Sequence, residues 1–292
     1  MSRPAAAPER LPEPLLSAGG GGGGSGAAEA VAAETRRVRR RARTAVLLGT
    51  AVPVGLLAAW ECAARLALVD PMLFPAPSRT AACAAGLVAS GELGGHAGAT
   101  VTRLFSGYAL GAVAGVAAGF AMGVSRYVRA ALTPLFTALY SVPKVAVLPL
   151  LLLVFGLSET PKVLSVAITV FFVLQINTLA GVSQIDPRMV ETARSYGARG
   201  LRLLRAVLLP GAAPVIMTGL RTAAGLGVVV VVAVEFVASE SGLGYLIWNS
   251  WTLFQPERMY AGILAVALLG TAFSLLLLAA ERLVMPWRAG AR

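Results

Sequence analysis

Charge is scarce in this chain. A soluble domain carries about a quarter charged residues. Here only 13% of the 292 residues are Asp, Glu, Lys or Arg, 57% are hydrophobic, and the mean hydropathy is +0.75. That composition excludes a soluble globular fold and describes a polytopic membrane protein. Lysine is scarcer still: Lys144 and Lys162 are the only two, and each follows a proline. A phosphate-binding loop needs Gly-Lys-Ser/Thr, so the chain carries no ATPase motif. His96 is the single histidine, and Cys62 and Cys83 are the only cysteines. The cysteines sit in or beside apolar sequence without metal-type spacing and read as packing residues. With no His/Cys/Asp cluster and no nucleophile elbow, the sequence holds neither a catalytic nor a metal-binding constellation.

What charge there is has one dominant sign. The net charge of +11 comes from 23 arginines and two lysines set against 14 acidic residues. In a membrane protein the positive-inside rule accounts for such an excess without any nucleic-acid partner. Residues 1–43 are rich in Pro, Ala, Gly and Glu and contain an unbroken Gly19–Gly24 run. Such a segment buries too little apolar surface to offset its ordering entropy, and is expected to be a disordered tail. It ends in Arg36, Arg37, Arg39, Arg40, Arg41 and Arg43, directly before an apolar run. That run continues to Val69, the length of a full span, so an uncleaved first helix over 44–69 is expected rather than a signal peptide.

Five further spans are readable at 98–124, 131–157, 161–183, 211–238 and 261–284, making six in all and an all-α fold. An even count puts both termini on one side. Eighteen basic residues then fall in the segments assigned inside and three (Arg79, Lys162 and Arg258) in those assigned outside. The bias predicts a multi-pass plasma-membrane protein with both termini cytoplasmic, residues 286–292 forming a short cytoplasmic tail.

One polar segment interrupts this pattern. Asp186–Pro210 reads as an amphipathic helix on the cytoplasmic side. Asp186-Pro187 is a helix-start signal, because Asp caps free N–H groups and Pro loses no bond at the first position. Ala193 and Gly197, four residues apart, are expected to share one smooth helical face. Arg194, Arg199, Arg202 and Arg205 surround it. By itself the segment also suits an interfacial helix held on anionic lipid. The spacing Glu191, Ala193, Gly197, nine residues, Val207-Leu208-Leu209-Pro210, however, closely resembles the E-A-A-x3-G-x9-I-x-L-P motif of binding-protein-dependent ABC importer permeases. Thr192 stands in place of an Ala and Val207 in place of the Ile.

Other stretches resemble the nitrate/sulfonate/taurine branch of that family. They are Phe74-Pro75-Ala76-Pro77-Ser78, Thr102-Arg103-Leu104 with Gly107, the stretch SVPKVAVLPLLLLVFG over 141–156, and Glu235 followed by Gly242-Leu243-Gly244-Tyr245. Together they cover residues 70–285. The resemblance implies a type I (MetI-like) permease fold and a coupling helix over 187–205 that fits a groove on the ATPase. Glu191, Ala193, Gly197 and Pro210 would be its coupling residues. It also implies two separate ATPase chains that bind the ATP and Mg, an extracytoplasmic substrate-binding protein, and a second copy of this chain. No cofactor is expected in the chain itself. The implied cargo is a small anionic solute of the aliphatic sulfonate, taurine or nitrate class. The competing class, an ion-coupled secondary transporter, would be expected to show inverted repeats and several intramembrane carboxylates.

Three features remain to be placed. Gly107, Gly111, Gly115, Gly119 and Gly123 recur every fourth residue, a row suited to close helix approach either within the subunit or between subunits. Arg221, roughly 16 Å along a helix from Pro210, is either a cavity-facing cation on the translocation path or a structural group held by an ion pair or by helix-end carbonyls. Glu235 belongs to an outer gate or snorkels to the headgroups. His96 falls in the first outer loop and receives no role.

Overall fold

Proline marks where the helices of this chain begin. Among the described residues it occupies the first turn of five of them, at Pro77, Pro149, Pro161, Pro187 and Pro256, where its missing N–H has no intrahelical partner to lose. The computed structural model describes residue 49 and residues 51–285. The 1–43 tail, the arginine cluster and the 286–292 tail lie outside the described residues. The chain divides into two units at Trp60/Glu61. In the first, residues 51–60 are helical (α1).

The second unit opens on helical residues 61–65, followed by α2 (Pro77–Ala89), α3 (Glu92–Val124) and α4 (Arg126–Tyr140). A 3-10 turn over Lys144–Val147 leads into α5 (Leu148–Phe155), then α6 (Thr160–Ser183), α7 (Pro187–Ser195) and α8 (Gly200–Leu203). A π-helical turn at Leu204–Leu208 enters α9 (Leu209–Ala238), and α10 (Leu243–Thr252) and α11 (Pro256–Val284) complete the unit. No strand occurs among the described residues. Among the described residues, four helical stretches are long and apolar enough to cross a membrane: Glu92–Val124, Thr160–Ser183, Gly200–Ala238 and Pro256–Val284. The pair Arg126–Tyr140 and Lys144–Phe155 makes a fifth if counted as one broken span.

The span over 131–157, which the sequence interrupts with Pro134, Pro143 and Pro149, is two helices broken beside Lys144. Its two helices meet at 90°. Pro143 cannot donate to the preceding turn, and the Lys144 ammonium turns back to donate to the Leu139, Tyr140 and Val142 carbonyls, capping α4. The second span likewise begins earlier than residue 98, at Glu92, so His96 lies on α3 rather than in a loop. The stretch read as the first outer loop also contains a helix, α2. The Glu61 carboxylate accepts from the Ser78 N–H and hydroxyl at the start of that helix, where the helix dipole favours an anion.

α3, α6 and α9 form the middle of the unit. The glycine row of α3 runs along α6. A Cβ built at Gly107 would lie 2.6 Å from the Val163 carbonyl oxygen, at Gly111 2.3 Å from that of Ala167, and at Gly115 2.5 Å from that of Phe171. At Gly119 and Gly123 it would meet the side chains of Thr178 and Val182. The row is thus occupied within the subunit. Gly181 and Gly219 give α6 and α9 a similar close approach, against Ala212 and Asn177. Around these contacts Leu104, Val166, Val170, Leu174, Val231 and Val234 are fully or almost fully buried. α11 packs through Phe273 on Tyr108 and Phe105, but buries only Ala261, Gly262 and Phe273.

Candidate functional sites

The Asp186–Pro210 segment is not one helix. α7 starts as its sequence dictates, with the Asp186 carboxylate accepting from the Arg188 N–H at 2.9 Å. It stops at Ser195. Gly197 adopts the left-handed conformation, φ +81°. The Ala198 N–H reaches back to the Ala193 carbonyl at 3.0 Å and the Gly197 N–H to that of Arg194 at 2.9 Å. These two bonds, six-to-one and five-to-two, are a Schellman cap. Ala193 and Gly197 therefore do not share a helical face; Ala193 anchors the cap and Gly197 turns the chain.

Ala193 is half-buried and packs toward Ala198, Leu203 and Leu208 together with Phe120 and Ile185. The opposite side of the segment is free: Glu191 is exposed, as are Met189, Tyr196 (87%) and Leu201. Pro210, lacking an N–H and crowding the carbonyl four residues back, follows directly on the π-helical turn Leu204–Leu208. Such turns relieve a mismatch in the hydrogen-bond ladder.

At the far end of α9 lies a buried ionic cluster. Glu235 is 0% exposed, so it does not snorkel. Its carboxylate accepts from Arg103 at 2.8 Å, from the Thr100 hydroxyl and from the Gly244 N–H. Arg103, 3% exposed, also donates to both oxygens of Glu159 and to the carbonyl and hydroxyl of Ser241. Lys162 donates to Glu159 at 2.8 Å, and Thr100 in turn receives the Leu243 N–H. The cluster binds α3, the start of α6, the end of α9 and the start of α10. Glycine is required at two of its positions. A Cβ at Gly242, where φ is +113°, would fall 2.3 Å from Glu235 Oε1, and one at Gly244 2.6 Å from the Val232 carbonyl. His96 joins the cluster, its Nδ1 accepting from the Gly242 N–H at 3.1 Å.

Arg103 and Glu159 are the members that motif reading left without a role. The signal was present: Arg103 and Glu235 are opposite charges inside apolar spans, and such charges pair. Glu159 is the exposed arm, 62% accessible. The Arg103 guanidinium, helped by Lys162, holds its carboxyl at about 2. Because its folded pKa is depressed, its stabilising contribution is present above the usual carboxylate value. It is lost as pH falls through about 2. Solvent screening keeps that contribution small. Acid unfolding of the purified protein is expected to begin at a higher pH than in Glu159→Gln when each is normalised to its own stability at pH 7. Identical profiles would refute the assignment.

Arg221 forms an ion pair with Glu281 of α11, Nη1 to Oε2 at 2.8 Å. Its side chain remains 50% exposed. It is not connected to the Glu235 cluster by any hydrogen bond among the described residues.

Residues 108–288 match the family described as binding-protein-dependent transport system inner membrane component. The chain is 38% identical over 236 residues to the putative aliphatic sulfonates transport permease protein SsuC of Escherichia coli (strain K12), covering 81% of this chain and 90% of that one. It is 32% identical over 253 residues to the SsuC protein of Bacillus subtilis (strain 168), covering 87% and 92%. It is 33% identical over 238 residues to the taurine transport system permease protein TauC of Escherichia coli (strain K12), covering 80% and 86%. A chain of the solved structure described as an amino acid ABC transporter with histidines shares the fold. Its TM-score is 0.51 at 20% identity, over 64% of this chain and 91% of that chain. The chain belongs to the binding-protein-dependent transport system inner membrane component family and is the permease subunit of an ABC importer.

Proposed function

We propose that this permease imports a small sulfonate-like anion and takes its driving force through the α7–α8 elbow. Membership of the family brings an ATPase partner and a substrate-binding partner. The finer arrangement proposed is a homodimer of this chain above two ATPase chains, with ATP and Mg bound entirely by those chains. In this arrangement both termini and the elbow lie in the cytoplasm, a placement the arginine distribution supports. The cargo class follows the aliphatic sulfonate and taurine transport named for its relatives.

One observation carries the mechanical part. The elbow has two chemically different sides: Ala193, Ala198 and Leu203 are stitched into the bundle, while Met189, Tyr196 and Leu201 stand exposed beside arginines. A surface held rigidly from behind and apolar in front suits a lever. ATP-driven closure of the ATPases would move the elbow, and the attached α9 would carry that motion into the spans. The Schellman cap makes the lever stiff.

Gly197→Val tests it. A β-branched residue at φ +81° costs on the order of 1–2 kcal/mol locally, and the cap is expected to open. ATPase co-purification should fall at least tenfold while the permease still inserts at normal levels. Full ATPase recovery and normal uptake in this variant would rule out the elbow as the coupling element.

A further inference from the structure

We infer that Arg221 is the cation that meets the anionic cargo on its way through the membrane. The inference rests on the sulfonate-like substrate proposed above. Arg221 lies roughly 16 Å along the helix from Pro210 and about 21 Å from Glu235, within the apolar length of α9, and its guanidinium pairs with Glu281 in the last turn of α11. A charge there does not face lipid alone. Yet it is not sequestered either. Arg103 uses five hydrogen bonds and is 3% exposed, whereas Arg221 has one described partner, Glu281, and is 50% exposed. Among the described residues, its remaining N–H groups have no acceptor.

The face around it is polar in an otherwise valine- and leucine-rich helix. Thr218 and Thr222 are exposed beside it, and each hydroxyl donates only to a carbonyl of its own helix. One turn further on, Gly225 opens a cleft of about 470 Å³ between α9 and α11, with Thr271 and Ser274 on the opposite wall. The cleft beyond the guanidinium is walled mainly by Val228, Val266, Ala267 and Leu275, with the Thr271 and Ser274 hydroxyls as its polar points. Hydroxyl hydrogens rotate to suit an arriving acceptor. A planar guanidinium binds oxyanions through two parallel N–H bonds, and a sulfonate offers three oxygens on one small head. Glu281 sets the strength. By sharing the guanidinium it keeps anion binding weak enough for release, as passage requires.

The test uses the complete importer, permease with its ATPase and loaded binding protein, in proteoliposomes supplied with radiolabelled ethanesulfonate or taurine. Arg221→Gln is expected to lower uptake at least tenfold, and Arg221→Lys, which keeps the charge but not the fork, about threefold to tenfold. The double variant R221Q/E281Q should stay as low as R221Q. If the pair is only structural, the neutral double variant recovers uptake to near the wild-type rate, and the inference falls while the substrate reading stands. If the wild-type complex takes up neither sulfonate, the substrate reading falls and takes the inference with it. Co-purification of the ATPase with each variant establishes that the assembly is intact.

Discussion

Replacing Arg103 by methionine is expected to destabilise the protein by about 3–5 kcal/mol, the cost of removing one partner from a buried ion pair. Glu235, 0% exposed, would keep the Thr100 hydroxyl and the Gly244 N–H but lose Arg103, its only counter-charge within hydrogen-bonding distance among the described residues. Glu159 would swing into solvent, where it already has 62% exposure, at little cost. The asymmetry makes a specific prediction for the double variant. R103M/E235M removes both halves of the buried Arg103–Glu235 pair and should be more stable than R103M alone, because the charges that survive, Lys162 and Glu159, still pair with each other. Thermal unfolding in detergent, followed by tryptophan fluorescence, reads both effects. Additive losses in the double variant would mean that the two residues do not act as a pair.

A methyl group at Gly111 should cost about 1–3 kcal/mol, the range for overpacking a tight interior. Its carbon would fall 2.3 Å from the Ala167 carbonyl oxygen. That neighbour is backbone, so no side-chain rotation relieves the clash; α3 and α6 must separate. The effect should recur at Gly115, whose added carbon would lie 2.5 Å from the Phe171 carbonyl. Gly98 is the internal control. It lies on the same helix with open space around its Cβ, and alanine there should be neutral or slightly stabilising through helix propensity. Equal melting temperatures for G111A and G98A would contradict this account of the helix pair.

How much of this could be read without coordinates depended on the range of the interaction. Gly107 to Gly123 is a pattern local to one helix, and four-residue spacing alone puts it on one face. Its partner was not legible, because nothing in the row distinguishes α6 from a second subunit. Asp186-Pro187 was legible as a helix start for the same local reason. The end of that helix was misread. Gly197 falls on the Ala193 face of an uninterrupted helix, and only its backbone conformation, φ +81°, reveals that the helix has stopped. His96, Arg103 and Glu159 show the other limit: their partners are Gly242, Glu235 and one another, up to 146 residues away.

The sequence by itself determined that this chain lives in a membrane, that a helix begins at Asp186-Pro187, and that it belongs with importer permeases. Each of these follows from composition or from spacing within one segment, where covalent geometry converts residue order directly into a helix face or cap. Only the tertiary structure decided which charges neutralise each other. It paired Glu235 with Arg103 out of solvent and left Arg221 half open beside Glu281. Burial and partnership belong to the packed bundle: the same carboxylate is a liability in lipid and a fastening beside a guanidinium.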